Sequence, residues 1–102
     1  MPLPRYFARH CDAPRADEYD SWGTFDIFFE FSVQGCPLRQ VERYQNGIVL
    51  KYDVHHSADG YGGLSAPADL SDVWEFEISE EDFEAAWVLE ALNQPASAKR
   101  VG

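Results

Sequence analysis

Basic residues are scarce in this sequence. Eight lysines and arginines stand against eighteen aspartates and glutamates, which gives a formal net charge of −10. Between Lys51 and Lys99 there is no lysine or arginine at all. Nucleic acids and anionic membranes bind proteins through clustered basic side chains, so this composition argues against both as partners. It favours a partner with a basic surface, whose association should slow at high salt.

Long apolar runs are also missing. Nothing approaches the ~20 consecutive apolar residues of a membrane-spanning helix. Residues 1–5 lead directly into polar sequence, without the apolar stretch of a secretory signal. From this pattern we expect a cytoplasmic protein.

Cysteine is scarce too, with two residues, Cys11 and Cys36. They can form a disulfide in an oxidising compartment, or they can remain reduced thiols in the cytoplasm. Because no export signal is visible in the sequence, we expect the reduced form.

Hydrophobic residues make up 45% of the 102 residues and aromatics 15%, which is too rich for a disordered chain despite its charge. The length suits one domain with one core. We predict an α+β domain in which an antiparallel β-sheet of three to five strands packs against a C-terminal α-helix. Within the single domain 1–102 we expect an irregular N-terminal segment at 1–24, antiparallel strands at 25–54, a loop-rich part at 55–78, a helix at 79–93 and a flexible tail at 94–102.

Alternation of residue types predicts the first main strand, at 25–33. Its odd-numbered residues are apolar and its even-numbered ones mostly polar, which is the period-two pattern of a half-buried strand. Three prolines make most of 1–24 irregular, although residues 5–9 can form a short strand.

Asn46 and Gly47 predict a β-hairpin. Together they favour a two-residue type I′ turn, in which both central residues need positive φ. That turn sets Glu42 opposite Lys51, an opposite-charge pair across the strands. The predicted apolar face holds Val41, Ile48, Leu50, Tyr52 and Val54 with the stems of Arg39 and Arg43, and the predicted wetter face holds Gln40, Glu42, Tyr44, Val49, Lys51 and Asp53.

Ser79 predicts the start of the C-terminal helix. It is a preferred N-cap residue, and three acidic residues follow it where the helix dipole favours negative charge. The helix carries a second apolar side, which contacts either the N-terminal segment or another protein. The stripe expected on the sheet is Phe83, Ala86, Trp87 and Ala91, and the second side is Val88, Leu89 and Leu92.

Signals for chemistry are weak. His55 and His56 lie near carboxylates, but consecutive residues of a strand point to opposite faces and cannot easily share one metal ion. The sequence His10-Cys11-Asp12 suggests an activated thiol, yet neighbours in sequence are poorly placed to form a triad. We therefore predict no catalytic residue, no metal site and no cofactor.

The acidic half of the chain supplies a candidate binding surface. Its carboxylates can pair with Lys and Arg of a partner, while large aromatic side chains fill an apolar pocket. The predicted partner-binding residues are Asp59, Tyr61, Asp69, Asp72, Trp74, Glu75, Glu77, Glu80 and Glu81.

Four stretches carry a resemblance to a known family: LRQVERYQNG at 38–47, LKYD at 50–53, DGYGGL at 59–64 and FEISEEDFEAAW at 76–87. Together they resemble a family of small acidic bacterial proteins whose members are similar to immunity proteins of interbacterial toxin systems. The resemblance covers roughly residues 25–90. It implies an α+β fold with a bent antiparallel sheet and a C-terminal helix, and it supplies no catalytic residue.

We therefore predict a non-enzymatic cytoplasmic binding protein, an immunity protein that neutralises a basic toxin domain through an acidic, aromatic-containing surface. Two alternatives stay open. One is an inhibitor of another basic target, such as a nucleic-acid-binding defence complex, for which the electrostatic argument is identical. The other is a small enzyme of unknown reaction, which requires His55 or His56 to bind a metal. The oligomeric state is left open by the sequence.

Overall fold

A five-stranded antiparallel sheet forms the middle layer of the domain in the computed structural model, which describes residues 3–93. The strands are β1 Arg5–Cys11, β2 Phe25–Phe31, β3 Pro37–Tyr44, β4 Val49–Asp53, β5 Ala58–Asp59, β6 Gly62–Gly63 and β7 Glu77–Ile78, and the one helix of these residues is α1 Glu80–Trp87. Short 3₁₀ helices lie at Asp20–Trp22, Leu70–Asp72 and Trp74–Phe76. The strand order is β4-β3-β2-β1-β7, with β5 and β6 in a separate two-stranded sheet. The predicted α+β class with an antiparallel sheet and a C-terminal helix is confirmed.

β2 shows the alternation expected from the sequence. Phe29 and Phe31 pack on one face, against a cluster that contains Leu70. Phe28 packs on the opposite face, against the core under α1. Val33 lies beyond the end of the strand.

β1 lies inside the segment 1–24, which the sequence analysis expected to be mostly irregular. All seven of its residues pair with β2. Tyr6 and Phe7 are buried on opposite faces of the sheet, which explains why this strand forms. The short strand expected at residues 5–9 is present and extends to Cys11, because Pro4 and Pro14 bound the strand without interrupting it.

The turn between β3 and β4 has three residues, not the predicted two. Tyr44 N–H donates to Ile48 C=O, and Gly47 N–H donates to Tyr44 C=O. Gly47 has a φ of +95°, whereas no residue other than glycine has a positive φ within 3–93. A type I turn followed by one residue in the left-handed region has this pattern. The predicted type I′ turn was wrong, because Asn46 does not adopt the positive φ that it requires.

The extra turn residue shifts the register of the hairpin by one. Glu42 lies opposite Leu50, and Lys51 lies opposite Val41. Since side chains alternate between faces, a shift of one residue moves every side chain of β4 to the opposite face. Each face of the hairpin therefore combines residues from both predicted sets, and the predicted faces were wrong. The helix side of the hairpin holds Arg39, Val41, Arg43, Val49, Lys51 and Asp53, and the other side holds Gln40, Glu42, Tyr44, Ile48, Leu50 and Tyr52.

Both faces of the hairpin are covered, so neither is the wetter face that the sequence analysis expected. The core under α1 consists of Tyr6, Val41, Val49, Phe83 and Ala86. Two clusters fill the other side, one with Tyr44, Leu50 and Tyr52 and one with Phe7, Phe31 and Leu70. Five polar residues are buried as well: Glu30, Gln40, Glu42, Lys51 and Asp53.

α1 begins where the sequence predicts. Ser79 Oγ accepts a hydrogen bond from Asp82 N–H at 3.1 Å, which confirms the N-cap. Phe83 is fully buried against the sheet, as predicted for its stripe. Leu89 was expected on the second apolar side, but it packs against the core under the helix. Val88 and Leu92 are 68% and 51% exposed, so the N-terminal segment does not cover that side.

The helix ends at Trp87, well before the predicted end at residue 93, because the following chain closes the outer edge of β4. Leu92 N–H donates to Val49 C=O at 2.9 Å. The side-chain amide of Asn93 accepts from Lys51 N–H at 2.8 Å and donates to Lys51 C=O at 3.0 Å. The chain after α1 therefore acts as a cover for a strand edge.

Cys11 and Cys36 are free thiols at opposite ends of the sheet. Cys11 lies opposite Phe25 at one end of the β1–β2 ladder, and Cys36 directly precedes Pro37 at the other. Strand length separates these ends by about 20 Å. A disulfide needs Cα atoms within about 7 Å, so the two cysteines cannot be bridged within one chain.

Two further expectations concern the chain ends and the membrane. The flexible tail expected at 94–102 lies outside the described residues. Among residues 3–93, no helix has the length and apolar character needed to cross a membrane.

Two glycines offer a matched test of the packing around the sheet. Gly35 and Gly47 have similar φ values, +83° and +95°, so alanine meets similar backbone strain at both, of roughly 1–2 kcal/mol. At Gly47 an added Cβ has no atom within 4 Å, whereas at Gly35 it overlaps the backbone oxygen of Ala68. We expect Gly35→Ala to lower the free energy of unfolding by at least about 3 kcal/mol. Gly47→Ala should lower it only by the backbone strain, roughly 1–2 kcal/mol. Urea denaturation measures both, and equal losses would contradict the described contact with Ala68.

Candidate protein-binding surface

A three-residue period organises the two consecutive 3₁₀ helices of the acidic segment. Leu70, Val73 and Phe76 recur at i and i+3, and such side chains line up on one side of a 3₁₀ helix. Leu70 is buried against Phe7 and Phe31, and Val73 packs on the same cluster. The residues between them therefore face outward.

Trp74 is the most prominent of these outward residues, with 65% of its surface exposed. Asp72 and Glu75 beside it are exposed as well. Isolated exposed apolar residues are ordinary, but a large exposed indole between two carboxylates is a typical anchor for a protein contact.

The first turn of α1 carries further carboxylates, on the opposite face of the sheet from the 3₁₀ helices. Glu80, Glu81 and Asp82 are all exposed, and their position at the helix N-terminus is favourable for negative charge. Between the 3₁₀ helices and α1 the chain passes through β7, at the edge of the sheet. We call these outward residues the acidic rim, which consists of Asp72, Trp74, Glu75, Glu80, Glu81 and Asp82.

Two predicted binding residues of this segment have partners inside the protein. Glu77 accepts two hydrogen bonds from the Arg5 guanidinium, at 2.9 and 2.8 Å, and these bonds lower the pKa of the Glu77 carboxyl. Asp69 accepts from the hydroxyl and the backbone N–H of Ser71, which lowers the pKa of Asp69. Both carboxylates are thus held in hydrogen bonds within the protein, where they stabilise the local structure.

Most carboxylates of the rim have no such partner. Among residues 3–93, the carboxylates of Asp72, Glu75, Glu81 and Asp82 make no ion pair or side-chain hydrogen bond. Glu80 accepts one long hydrogen bond, 3.4 Å, from the Tyr6 hydroxyl. The rim is therefore a group of exposed negative charges that the described part of the chain does not neutralise.

Tyr61 packs on the same face of the sheet as Leu70, but against the cluster of Tyr44, Leu50 and Tyr52. Its ring packs near Tyr19 and Trp22, with centroid distances of 5.5 and 6.0 Å. These rings cover the face of β4 that holds Tyr52. The structure thus places Tyr61, predicted as a binding residue, in an aromatic cluster against the sheet.

Asp59 belongs to the same side, where it joins four groups. Its carboxylate accepts hydrogen bonds from Tyr52 Oη at 2.9 Å and Tyr61 N–H at 2.8 Å. Asn93 Nδ2 and His56 Nε2 lie 2.8 Å from its second oxygen. Partial burial alone would raise the pKa of Asp59, but the hydrogen bonds from His56, Asn93, Tyr61 and Tyr52 lower it to about 2.

The structure does not gather the residues considered for chemistry into a site. His56 pairs with Asp59 and stacks on Tyr52, while His55 is exposed. No group of three or more His, Cys, Asp or Glu in residues 3–93 is placed to hold a metal ion. Burial raises the pKa of the Cys11 thiol, the opposite of what activates a cysteine nucleophile.

The sequence analysis missed one rim residue and one cluster. Asp82 was not among the predicted binding residues, although its place three residues after the N-cap Ser79 could have indicated it. His10 Nδ1 and Arg43 Nη2 both contact the Asp26 carboxylate, at 2.7 and 2.9 Å. No local signal predicts that cluster, because its three residues come from three strands.

The low pKa of Asp59 makes stability depend on pH in a defined range. Its ordinary value is 3.8, so as pH falls from about 4 to about 2 the unfolded state binds a proton that the folded state does not. The stability contributed by Asp59 is therefore complete above that range and is lost through it. We expect Asp59→Asn to lower the free energy of unfolding by about 2 kcal/mol at neutral pH.

Thermal unfolding of both proteins between pH 2 and 6 measures this effect. The difference between wild type and Asp59→Asn should narrow from about pH 4 to pH 2. Asp72→Asn, which removes an exposed carboxylate of the rim, is the control and should leave stability unchanged. A difference that stays constant down to pH 2 would argue against the hydrogen-bonded carboxylate.

Comparison of the chain with protein-family models, curated proteins and solved structures found no match. The resemblance to an immunity-related family therefore stays a prediction. The geometry of the acidic rim is the basis on which a function can be argued.

Proposed function

We propose that this chain is a non-enzymatic binding protein of the cytoplasm that neutralises a basic protein, in the way that an immunity protein neutralises a toxin domain. The observation that carries the proposal is Trp74, 65% exposed and flanked by carboxylates that no side chain of residues 3–93 pairs with. Charge attracts a basic partner and the indole gives the contact an apolar anchor.

The rest of the described surface supports a basic partner as well. Most cations there are already paired with acids, and Lys51 is buried with 1% of its surface exposed. Arg9 is exposed, and its guanidinium lies over the Phe76 ring at 5.2 Å. The pairs are Arg5 with Glu77, Arg15 with Asp17, Arg39 with Glu30 and Glu84, and Arg43 with Asp26.

The mechanism we propose is occlusion. Carboxylates of the rim pair with Lys and Arg around the active site of the target, and Trp74 fills an apolar pocket beside them. A nuclease toxin is a suitable class of target, since a groove that binds phosphates is basic. Long-range attraction speeds the encounter, and burial of the indole slows dissociation.

Neutralising the rim tests this proposal. The variant Asp72→Asn, Glu75→Gln, Glu81→Gln, Asp82→Asn removes four charges without touching the bonded carboxylates of Asp69 and Glu77. We expect its association rate with the target at low salt to fall about tenfold, with a weaker dependence on ionic strength. Trp74→Ala should instead raise the dissociation rate.

The target is first captured from the native cells on wild-type protein, released with salt and identified by mass spectrometry. Stopped-flow association is then measured with the purified target. The matched control removes four exposed acids elsewhere: Asp12→Asn, Glu18→Gln, Asp20→Asn, Glu90→Gln. Equal rates for the rim and control variants would contradict the proposal, and the identity of the target decides between toxin immunity and inhibition of another basic protein.

A further inference from the structure

A mainly apolar cavity of about 150 Å³ lies on the face of the sheet that points away from α1. Phe7, Phe29 and Phe31 of β1 and β2 line it on one side. The chain between β6 and β7 lines it on the other side, where Val73 and Phe76 of the 3₁₀ helices contribute. The cavity therefore lies between the central sheet and the acidic segment.

The local sequence explains why this space is not filled. The three phenylalanine rings pack on one another, with centroid distances of 5.2 Å between Phe29 and Phe31 and 5.9 Å between Phe7 and Phe31. Opposite them, residues 65–68 read Ser-Ala-Pro-Ala. An alanine side chain is a single methyl group, so Ala66 and Ala68 leave room beside the large rings.

The cavity opens to solvent at one end. Phe7 and Phe31 are buried, whereas Arg9 and Ala66 at the border are exposed. An apolar space of this volume holds a group as large as benzene. Such a group gains dispersion contacts with the rings that surround it. The cavity is therefore suited to one small apolar group that enters from outside.

Arg9 supplies the charge at this entrance. It is the one charged residue of the described chain that lines the cavity. Its guanidinium carbon lies 5.2 Å from the centroid of the Phe76 ring, which leaves the N–H donors in the guanidinium plane available. Arg9 is also the one arginine of residues 3–93 that has no ion pair with a carboxylate. An unpaired cation at the entrance suits a carboxylate.

The cavities on the helix side of the sheet are less suited to an anion. Arg43 lines cavities of about 390, 300 and 270 Å³ on that side. Its Nη2 atom lies 2.9 Å from the carboxylate of Asp26, and His10 Nδ1 lies 2.7 Å from the same carboxylate. A bound anion would compete there with an internal carboxylate, whereas no carboxylate of residues 3–93 pairs with Arg9.

We propose that the cavity beside Arg9 binds a small carboxylic acid whose apolar body is about the size of a phenyl ring. The apolar body packs on Phe7, Phe31 and Val73, and the carboxylate accepts hydrogen bonds from the Arg9 guanidinium at the entrance. Pairs of arginine and carboxylate are often bidentate, which fixes the orientation of the ligand. This site goes beyond the proposed function, because no residue of the acidic rim lines the cavity.

The net charge of −10 does not exclude an anionic ligand. Exposed charges separated by more than about 10 Å are largely screened at 0.1 M salt. Glu77, which lies opposite Phe7, is already paired with Arg5. The contact with Arg9 therefore outweighs the repulsion from distant acids.

Phenylacetate is the probe that matches this ligand, and it is ionised at neutral pH. Phenethyl alcohol and phenethylamine carry the same ring with a neutral and a cationic group, so the three compounds differ mainly in charge. Each is titrated into the full chain and followed by NMR. Phenylacetate should bind about tenfold more tightly than the alcohol, because hydrogen bonds to a charged group are stronger, and the amine should bind least. Nuclear Overhauser contacts should join the ring of phenylacetate to Val73 and Phe76.

Three variants identify the site. Arg9→Gln changes an exposed side chain and should lower the affinity for phenylacetate about tenfold, to that of the alcohol, whose own affinity should not change. Arg43→Gln is the matched control, which removes an arginine from the opposite face and should change neither affinity. Val73→Phe places a larger side chain in the cavity and should weaken both compounds, and its thermal unfolding is measured to check that the variant is folded.

The possible results separate this site from its alternatives. Equal affinity of the wild type for phenylacetate and the alcohol would overturn the proposal, and so would the absence of any perturbation up to the solubility limit of phenylacetate. Contacts of the ring with Phe28 in place of Val73, or a loss caused by Arg43→Gln alone, would place the acid on the helix side and also overturn it. The rim variant should bind phenylacetate at least as tightly as the wild type, which keeps this result independent of the function proposed above.

Discussion

The polar side chains buried within the central sheet each require a partner, and the structure depends on that requirement. The guanidinium of Arg39 lies between the carboxylates of Glu30 and Glu84, at 2.7 and 2.6 Å, and over the rings of Phe83 and Trp87. One side chain thus ties β3 to β2 and to α1. Loss of a partner from such a group costs about 1–3 kcal/mol, more when it is charged. The arrangement therefore favours one register and one position of the helix.

On the other face of the sheet a buried carboxylate also has its hydrogen-bond partners, but neither of them is a cation. Glu42 is buried and accepts from Gln40 Nε2 and the Tyr44 hydroxyl, and Tyr44 in turn accepts from Arg15. Burial and the bond to Glu42 raise the pKa of Tyr44 well above its ordinary value. Because cations and hydroxyls are engaged inside the domain, the excess of acids is left at the surface, and much of it lies at the rim.

How much the sequence predicted depended on whether a signal was local. The alternation of β2 and the N-cap at Ser79 are local, and both were found. The register of β3 and β4 depended on a turn that Asn46-Gly47 forms in more than one way, and one extra turn residue moved the β4 side chains to the opposite faces. β1 extends two residues beyond the strand expected at 5–9, because its pairing with β2 joins parts of the chain that are distant in sequence. At the candidate site, the density of acidic residues indicated the segment 69–82. Only the fold shows which of its carboxylates are hydrogen-bonded within the protein and which are unpaired.

Asn93 has a consequence for the order in which this domain is completed during synthesis. It follows the helix in the chain, yet it holds the outer edge of β4 and the carboxylate of Asp59. The ribosome releases the N-terminal strands first, at ~5–20 residues per second. The nascent sheet therefore carries an exposed β4 edge until Asn93 leaves the exit tunnel. For those seconds the chain depends on its own negative charge, rather than on its fold, to avoid aggregating with other nascent chains.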